Sequence, residues 1–380
     1  MCSRTNIMYR LTCGETPFII VTLMVCIPYA AHLYFTRHAY DLFIENRTFI
    51  NTDNARKRNQ YFSDVKSEML SQTNESEKWK HISFLKVPKS GSSTTACIFI
   101  RFGINNNLSL FLPKRNTISE KMQQKLIRDN KHYDIFVIHT KYNYLFFSHI
   151  VKNSKIIGTI RKPETRLVSH AFYFRLYKKY PNLYGLSDQA FINKVVMDTP
   201  RYNVHNIMGS YFGLNNQSIT RQSLQKKLEK LNIEFACVLI MEKFDESLII
   251  LKRLLRWSFF DIIYAPKKTK HNDGIYLNER QIKHLEQTNN IEYAIYNYFY
   301  IELERKIQNA GHNFVQEVAH FKQILNQTRH FCKNKRHYKA SFYTFQASEW
   351  DDSFSVSKSD CIIIFNLDVV SLKAGRYTKI

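Results

Sequence analysis

Lys89-Ser90-Gly91-Ser92-Ser93-Thr94 places a cation, a residue tolerant of positive φ and a run of hydroxyls just ahead of Ala96, Cys97, Ile98 and Ile100, apolar residues at roughly helical spacing. Backbone N–H groups at a helix N-terminus, beside lysine and serine or threonine, suit a phosphate-type oxyanion. An ordinary strand-to-helix turn with a serine cap has the same local spelling, so the loop alone leaves both readings open. A nucleotide-triphosphate loop needs its lysine after the second glycine, whereas Lys89 precedes the loop's only glycine. Kinase and NTPase chemistry are therefore disfavoured.

Two further positions carry candidate chemistry. His139 follows Tyr133 to Ile138, an apolar run ending where an imidazole can act as a base on a bound ligand. A structural surface histidine fits the same pattern. Arg161 closes the run Lys155 to Ile160, and Ser169 lies about two helical turns beyond it. Such a pair can hold one phosphate, although an arginine cap and a helix-surface serine share that spacing.

The elements that must position these groups alternate. Strands are predicted at Ile82 to Val87, where Pro88 has no N–H to continue a ladder, and at residues 133–138, 155–160 and 235–240. Pro163 opens a helix on which Leu167, His170, Ala171 and Phe174 share a face. Helices are also expected from Arg201 to Leu214, with Asn203, His205 and Asn206 near the start, and from Arg221 to Leu231. Asp245 is the expected cap of a helix whose Leu248, Leu251 and Leu255 face the core. Residues 278–330 read as helical throughout, and 331–380 as a less regular extension with an apolar patch from Cys361 to Val370. The alternation predicts an α/β fold, a P-loop-like parallel sheet flanked by helices, with ligands beyond the carboxyl ends of its strands.

Composition narrows the setting. The net charge of +23 over 380 residues points to nucleic acid, a membrane surface or small polyanions. No RNA-binding or zinc-finger signature accompanies it, and no Asp-x-Asp or clustered histidine set suggests a metal, so neither nucleic acid nor metal is expected as a partner. Pro17 to Phe35 contains no Asp, Glu, Lys or Arg and is long enough to cross a bilayer. The expected organisation is a tail at 1–16, one transmembrane signal-anchor at 17–36, a polar stem at 37–80, a catalytic domain at 81–330 and an extension at 331–380. Asn46, Asn74, Asn107, Asn216 and Asn326 each begin a glycosylation triplet downstream of the span, favouring a lumenal domain in a type II arrangement. Of the 7 cysteines, Cys97, Cys237, Cys332 and Cys361 fall in that domain and its extension. Cys332 with Cys361 is the preferred disulfide, because it would pin the extension; Cys97 and Cys237 also read as plain buried thiols.

Three segments together resemble the galactose 3-O-sulfotransferases, within the wider group of Golgi carbohydrate sulfotransferases. Phe84 to Thr94 is similar to the family's 5′-phosphosulfate loop, and Ile160-Arg161-Lys162-Pro163 through Phe172-Tyr173-Phe174 to its 3′-phosphate motif. Met241 to Leu248, with the helix to Trp257 and Asp261-Ile262-Ile263-Tyr264, looks like its late strand-helix unit. Pro88 and Lys162 depart from the family's usual His and Asp, and the Val-Pro-Lys and Arg-Leu-Val-Ser wording also resembles the uronosyl 2-O-sulfotransferases of heparan sulfate.

The resemblance implies a sulfotransferase fold and PAPS (3′-phosphoadenosine 5′-phosphosulfate) as donor, without a metal. It assigns the 5′-phosphosulfate to Lys89, Ser90, Gly91, Ser92, Ser93 and Thr94, and the 3′-phosphate to Arg161 and Ser169. His139 takes the place of the family's general base, with Lys89 assisting the leaving group, and Asn203 and His205 are assigned to the acceptor. It also implies a Golgi location and a galactose-containing glycan or glycolipid as acceptor. A glycosaminoglycan uronosyl 2-O-sulfotransferase and a catalytically silent anion- or glycan-binding membrane protein of the same fold remain as alternatives.

Overall fold

The computed structural model describes residues 77–214, 219–267, 274–333 and 341–366. The expected membrane span, nearly all of the stem, and Asn46, Asn74 and Asn216 lie outside them. Among the described residues no helix is long and apolar enough to cross a membrane.

Strand β1 (Ile82–Leu85) is buried at every position, as a parallel strand covered on both faces requires. Helix α1 (Ser92–Asn105), strand β2 (Leu110–Phe111), helix α2 (Glu120–Arg128), strand β3 (Ile135–Phe136), helix α3 (Tyr144–Ile150) and strand β4 (Lys155–Ile160) follow. Helices α4 (Pro163–Tyr173), α5 (Leu176–Lys179), α6 (Asp188–Met197), α7 (Ile207–Tyr211) and α8 (Arg221–Glu234) lead to strand β5 (Cys237–Ile240). Beyond it come α9 (Phe244–Leu255), α10 (Phe259–Ile262), α11 (Glu279–Thr288), α12 (Asn290–Gln308) and α13 (Phe314–Lys333). A hairpin of β6 (Phe342–Phe345) and β7 (Phe354–Ser357) precedes α14 (Lys358–Asn366).

The sheet runs β2-β3-β1-β4-β5, every pair parallel, with Ile82 opposite Ile135 on one side of β1 and Phe84 opposite Ile157 on the other. Phe84 meets Phe99 of α1 edge to face at 5.2 Å between ring centres. Ser83, one residue earlier and so on the opposite face, donates to the Phe147 carbonyl of α3 at 3.1 Å. Helices thus flank both faces, as the α/β prediction requires. Arg101, 2% exposed within α1, donates to the carbonyls of Phe260, Asp261 and Ile263 at 2.7, 2.8 and 2.7 Å. A buried guanidinium tolerates desolvation only when so satisfied, and these bonds fix α1 against the segment around α10.

The elements differ from the sequence reading where side chains override the apolar pattern. Residues 278–330 break into three helices. One break is Asn289, whose carboxamide accepts from Asn206 N–H at 3.0 Å and donates to Thr199 Oγ1 at 3.2 Å. The other contains Gly311 at φ +93°. The helix expected from Arg201 shrinks to α7, because Asn203 and Asn206 take left-handed φ values of +54° and +45°. Asp245 does not cap α9; the helix starts one residue earlier, and the Asp245 carboxylate accepts from the Tyr264 hydroxyl at 2.8 Å. Phe174 leaves the buried face of α4 and is 37% exposed. Within the extension, Cys332 and Cys361 are joined, tying α14 to α13, and Cys97 and Cys237 are not disulfide-bonded.

Candidate active site

The chain leaves β1 towards the β2–β3 side of the sheet and leaves β4 towards β5, so the crevice beyond the carboxyl ends of β1 and β4 is the topological switch point. The loop after β1 and the Arg161 segment after β4 flank it.

The first loop is bent in a way few residues adopt. Lys89 and Gly91 have φ of +65° and +71°. For a lysine that conformation costs roughly 1–2 kcal/mol and persists only where the surroundings enforce it, a hallmark of ligand clamps. Gly91 caps α1, and a Cβ there would lie 2.1 Å from Met241 Sδ, so the loop sits directly on the residue after β5. Ser90 is wholly buried with its hydroxyl unpartnered. Ser92 and Thr94 are buried and Ser93 half-buried in the first turn of α1, which holds no acidic residue to repel an anion. Thr94 Oγ1 accepts the Lys267 N–H at 3.0 Å, so this hydroxyl already holds a neighbouring loop.

Lys89 reaches across the crevice: its ammonium lies 3.9 Å from the centre of the Tyr173 ring at the end of α4. Arg161 is half-buried, its Nε donating to Thr165 Oγ1 at 3.0 Å. Burial draws the guanidinium below its ordinary pKa, with Glu242 opposing and Arg166 adding to the fall. Glu242 accepts the Lys162 N–H at 3.0 Å and holds the turn into α4. Ser169 is half-buried on α4, one helical turn beyond Thr165. Next to it, the His170 imidazole is pushed down to about 3, by burial first and then by Arg166, Lys89 and Lys179. A histidine kept neutral among cations marks positive potential that favours an anion.

His139 crosses from the end of β3 to the exit of β1. Its Nδ1 lies 2.7 Å from the Lys86 carbonyl, which can only accept, so Nδ1 carries the proton and Nε2 is the basic nitrogen. The ring stands edge-on to Tyr211, with centroids 6.3 Å apart. His205 has the opposite arrangement. Its Nε2 bonds the Thr288 carbonyl at the end of α11, and Asn203 lies exposed in the turn before α7. Asn107 and Asn326 are both exposed.

Arg166 and Glu292 escaped the sequence reading. They form a buried pair with Nη2 to Oε1 at 3.0 Å and Nε to Oε2 at 3.1 Å, 0% and 1% exposed. Glu292 also accepts the Met208 N–H at 2.8 Å, fixing α4, α7 and α12 together. Nothing local announces a pair 126 residues apart. His170 had a signal, lying next to Ser169 and one turn from Arg166 on the same helix. Among the described residues no group of three or more His, Cys, Asp or Glu is arranged to hold a metal ion.

The family model for galactose-3-O-sulfotransferase matches residues 49–368. Galactosylceramide sulfotransferase of Mus musculus is 24% identical over 271 residues, covering 67% of this chain and 64% of that protein. The Homo sapiens protein of the same name is 26% identical over 277 residues, 68% of this chain and 65% of its own length. Galactose-3-O-sulfotransferase 2 of Mus musculus is 28% identical over 206 residues, 48% of this chain and 51% of that protein. The chain thus spans just under two thirds of the galactosylceramide sulfotransferases it matches.

Proposed function

Since the chain belongs to the galactose-3-O-sulfotransferase family, we propose that it moves the sulfuryl group of PAPS to the 3-hydroxyl of a galactose in a glycolipid or glycoprotein glycan. The observation that carries this reading is the meeting of the Lys89–Gly91 loop, Arg161 and the Lys86-anchored His139 around one strand-end crevice. The residues suit the donor. Ser90 has a buried hydroxyl without a partner, the glycine at 91 lets the loop close on Met241, and Lys89 and Lys179 add positive charge near His170.

PAPS, when bound, supplies a sulfuryl group activated by a phosphate leaving group. Lys89, Ser90 and the first-turn N–H groups of α1 would hold the 5′ end and stabilise negative charge there. Arg161 and Ser169 would hold the 3′-phosphate. His139 Nε2 takes the proton of the acceptor hydroxyl, while the Nδ1–H bond to the Lys86 carbonyl fixes the tautomer and stabilises the imidazolium that forms. His205 and Asn203 act further out, towards the acceptor.

The reading extends to a type II protein of the Golgi membrane, anchored by 17–36 with its catalytic part in the lumen. The downstream sequons support this, and an endoglycosidase-sensitive shift in mobility checks it. The activity is tested by incubating the protein with radiolabelled PAPS and a panel of galactosides and desulfated glycosaminoglycans. Label on galactosides is expected; label only on the glycosaminoglycans would move the assignment to a uronosyl 2-O-sulfotransferase.

A further inference from the structure

A cavity of about 150 Å³ lies between α2 and residues 141–143, the segment that follows His139 in the chain. Both of its walls leave from one point. Thr117 pairs with His139, Ile118 N–H donates to the His139 carbonyl at 3.0 Å, and α2 begins after the cap Ser119. Lys141 follows His139 by two residues, no more than about 7 Å along the chain. Gln123, 2% exposed, clamps the walls together, its Nε2 donating to Thr140 Oγ1 at 2.7 Å and to the Lys141 carbonyl at 2.8 Å.

The lining dictates the ligand. Ile127 and the ring of Tyr142 are half-buried and give an apolar floor, the Tyr142 hydroxyl being engaged by Glu234 at 3.0 Å. Around them stand Gln124, a Glu120–Lys141 ion pair at 3.6 Å, and Asn143, whose Oδ1 accepts the Phe146 N–H at 3.2 Å while its NH₂ remains a donor group. A phosphate would meet the Glu120 carboxylate. A hydrocarbon chain would strip water from the amides and the ion pair without replacing its hydrogen bonds. A pyranose has what the site asks for: a C–H face for the floor, and hydroxyls that both donate and accept for a rim whose charges cancel.

We propose that this cavity receives a neutral sugar of the acceptor glycan, the unit next to the galactose whose hydroxyl is delivered to His139. The proposal rests on the sulfotransferase reading and adds to it a preference for extended acceptors over single galactosides.

The test uses the full chain and a Glu120→Ala/Gln124→Ala variant, comparing kcat/KM for lactose and for methyl β-galactoside. The ratio of the two is expected to fall about tenfold in the variant, the effect of losing one or two hydrogen bonds that include a charged partner. An unchanged ratio overturns the proposal and leaves the sulfotransferase reading intact. Should the wild-type protein label neither sugar, that reading fails for galactosides and calorimetric titration of lactose decides the cavity separately. Binding weakened about tenfold in the variant supports it; equal binding in both proteins, or none, overturns it.

Discussion

His139 and His205 differ less in residue type than in which nitrogen the fold has claimed. At the end of β3, the Lys86 carbonyl engages Nδ1, and Nε2 is the nitrogen proposed as the base. At the junction of α7 and α11, the Thr288 carbonyl takes Nε2 itself, and Asn206 and Asn289 brace the same turn. The strand-end region spends its polar groups on orienting one imidazole and arranging cations. The helical region spends its polar groups on holding the chain. A histidine therefore becomes a candidate base through what its other nitrogen bonds, and spacing in the sequence does not reveal that.

The sharpest way to break the comparison is to remove each ring. His139→Ala is expected to lower kcat by about 10²- to 10⁴-fold with affinity for 3′,5′-ADP unchanged. His205→Ala should keep kcat within a few-fold, and instead raise KM for the acceptor and lower the melting temperature. If turnover is lost on the His205 side and kept on the other, the two roles are reversed.

The helical region is probed next by Arg166→Met. Stranding Glu292 in the core should cost about 3–5 kcal/mol, read as a lower urea midpoint at constant m-value. A midpoint within the error of wild type would mean that the pair does not hold α4 to α12.

In the strand-end region, Arg161→Ala should weaken binding of 3′,5′-ADP by about 10- to 100-fold and that of 5′-AMP little, as expected for the loss of a charged hydrogen bond to the 3′-phosphate. Equal losses for both nucleotides would remove Arg161 from that role.

The smallest expected effect is on pH dependence. Folded His170 titrates near 3 against an ordinary value of 6.5, so between these values the unfolded chain binds a proton that the folded chain refuses. Its contribution to stability is complete above about 6.5 and is lost as the pH falls towards 3. The melting temperature should therefore drop on acidification from pH 7 to 5, and less steeply in His170→Gln; identical slopes would show that His170 is not the sensor.

Much of the frame was legible because it is locally encoded. β1, β4 and β5 announce themselves as short apolar runs, Pro163 opens α4 as its fixed φ suggests, and Lys89, Arg161 and His139 stand at strand ends where an α/β sheet presents ligands. β2 was illegible, since two residues carry no period, and β3 was legible but pairs over only Ile135 and Phe136 of its apolar run. The breaks at Asn206 and Asn289 were missed because tertiary hydrogen bonds, not propensity, put them there. The Arg166–Glu292 pair and the carbonyl that selects a nitrogen of His139 are contacts between distant segments, which a single sequence does not display.

The most direct measurement is transfer of radiolabel from PAPS to a galactoside by wild-type protein and by His139→Ala, with 3′,5′-ADP binding titrated in both. The account predicts label on the galactose 3-hydroxyl with wild type, at least a 10²-fold slower rate for the variant, and equal nucleotide affinity. Near-normal transfer by His139→Ala, or nucleotide affinity lost together with the rate, would contradict it.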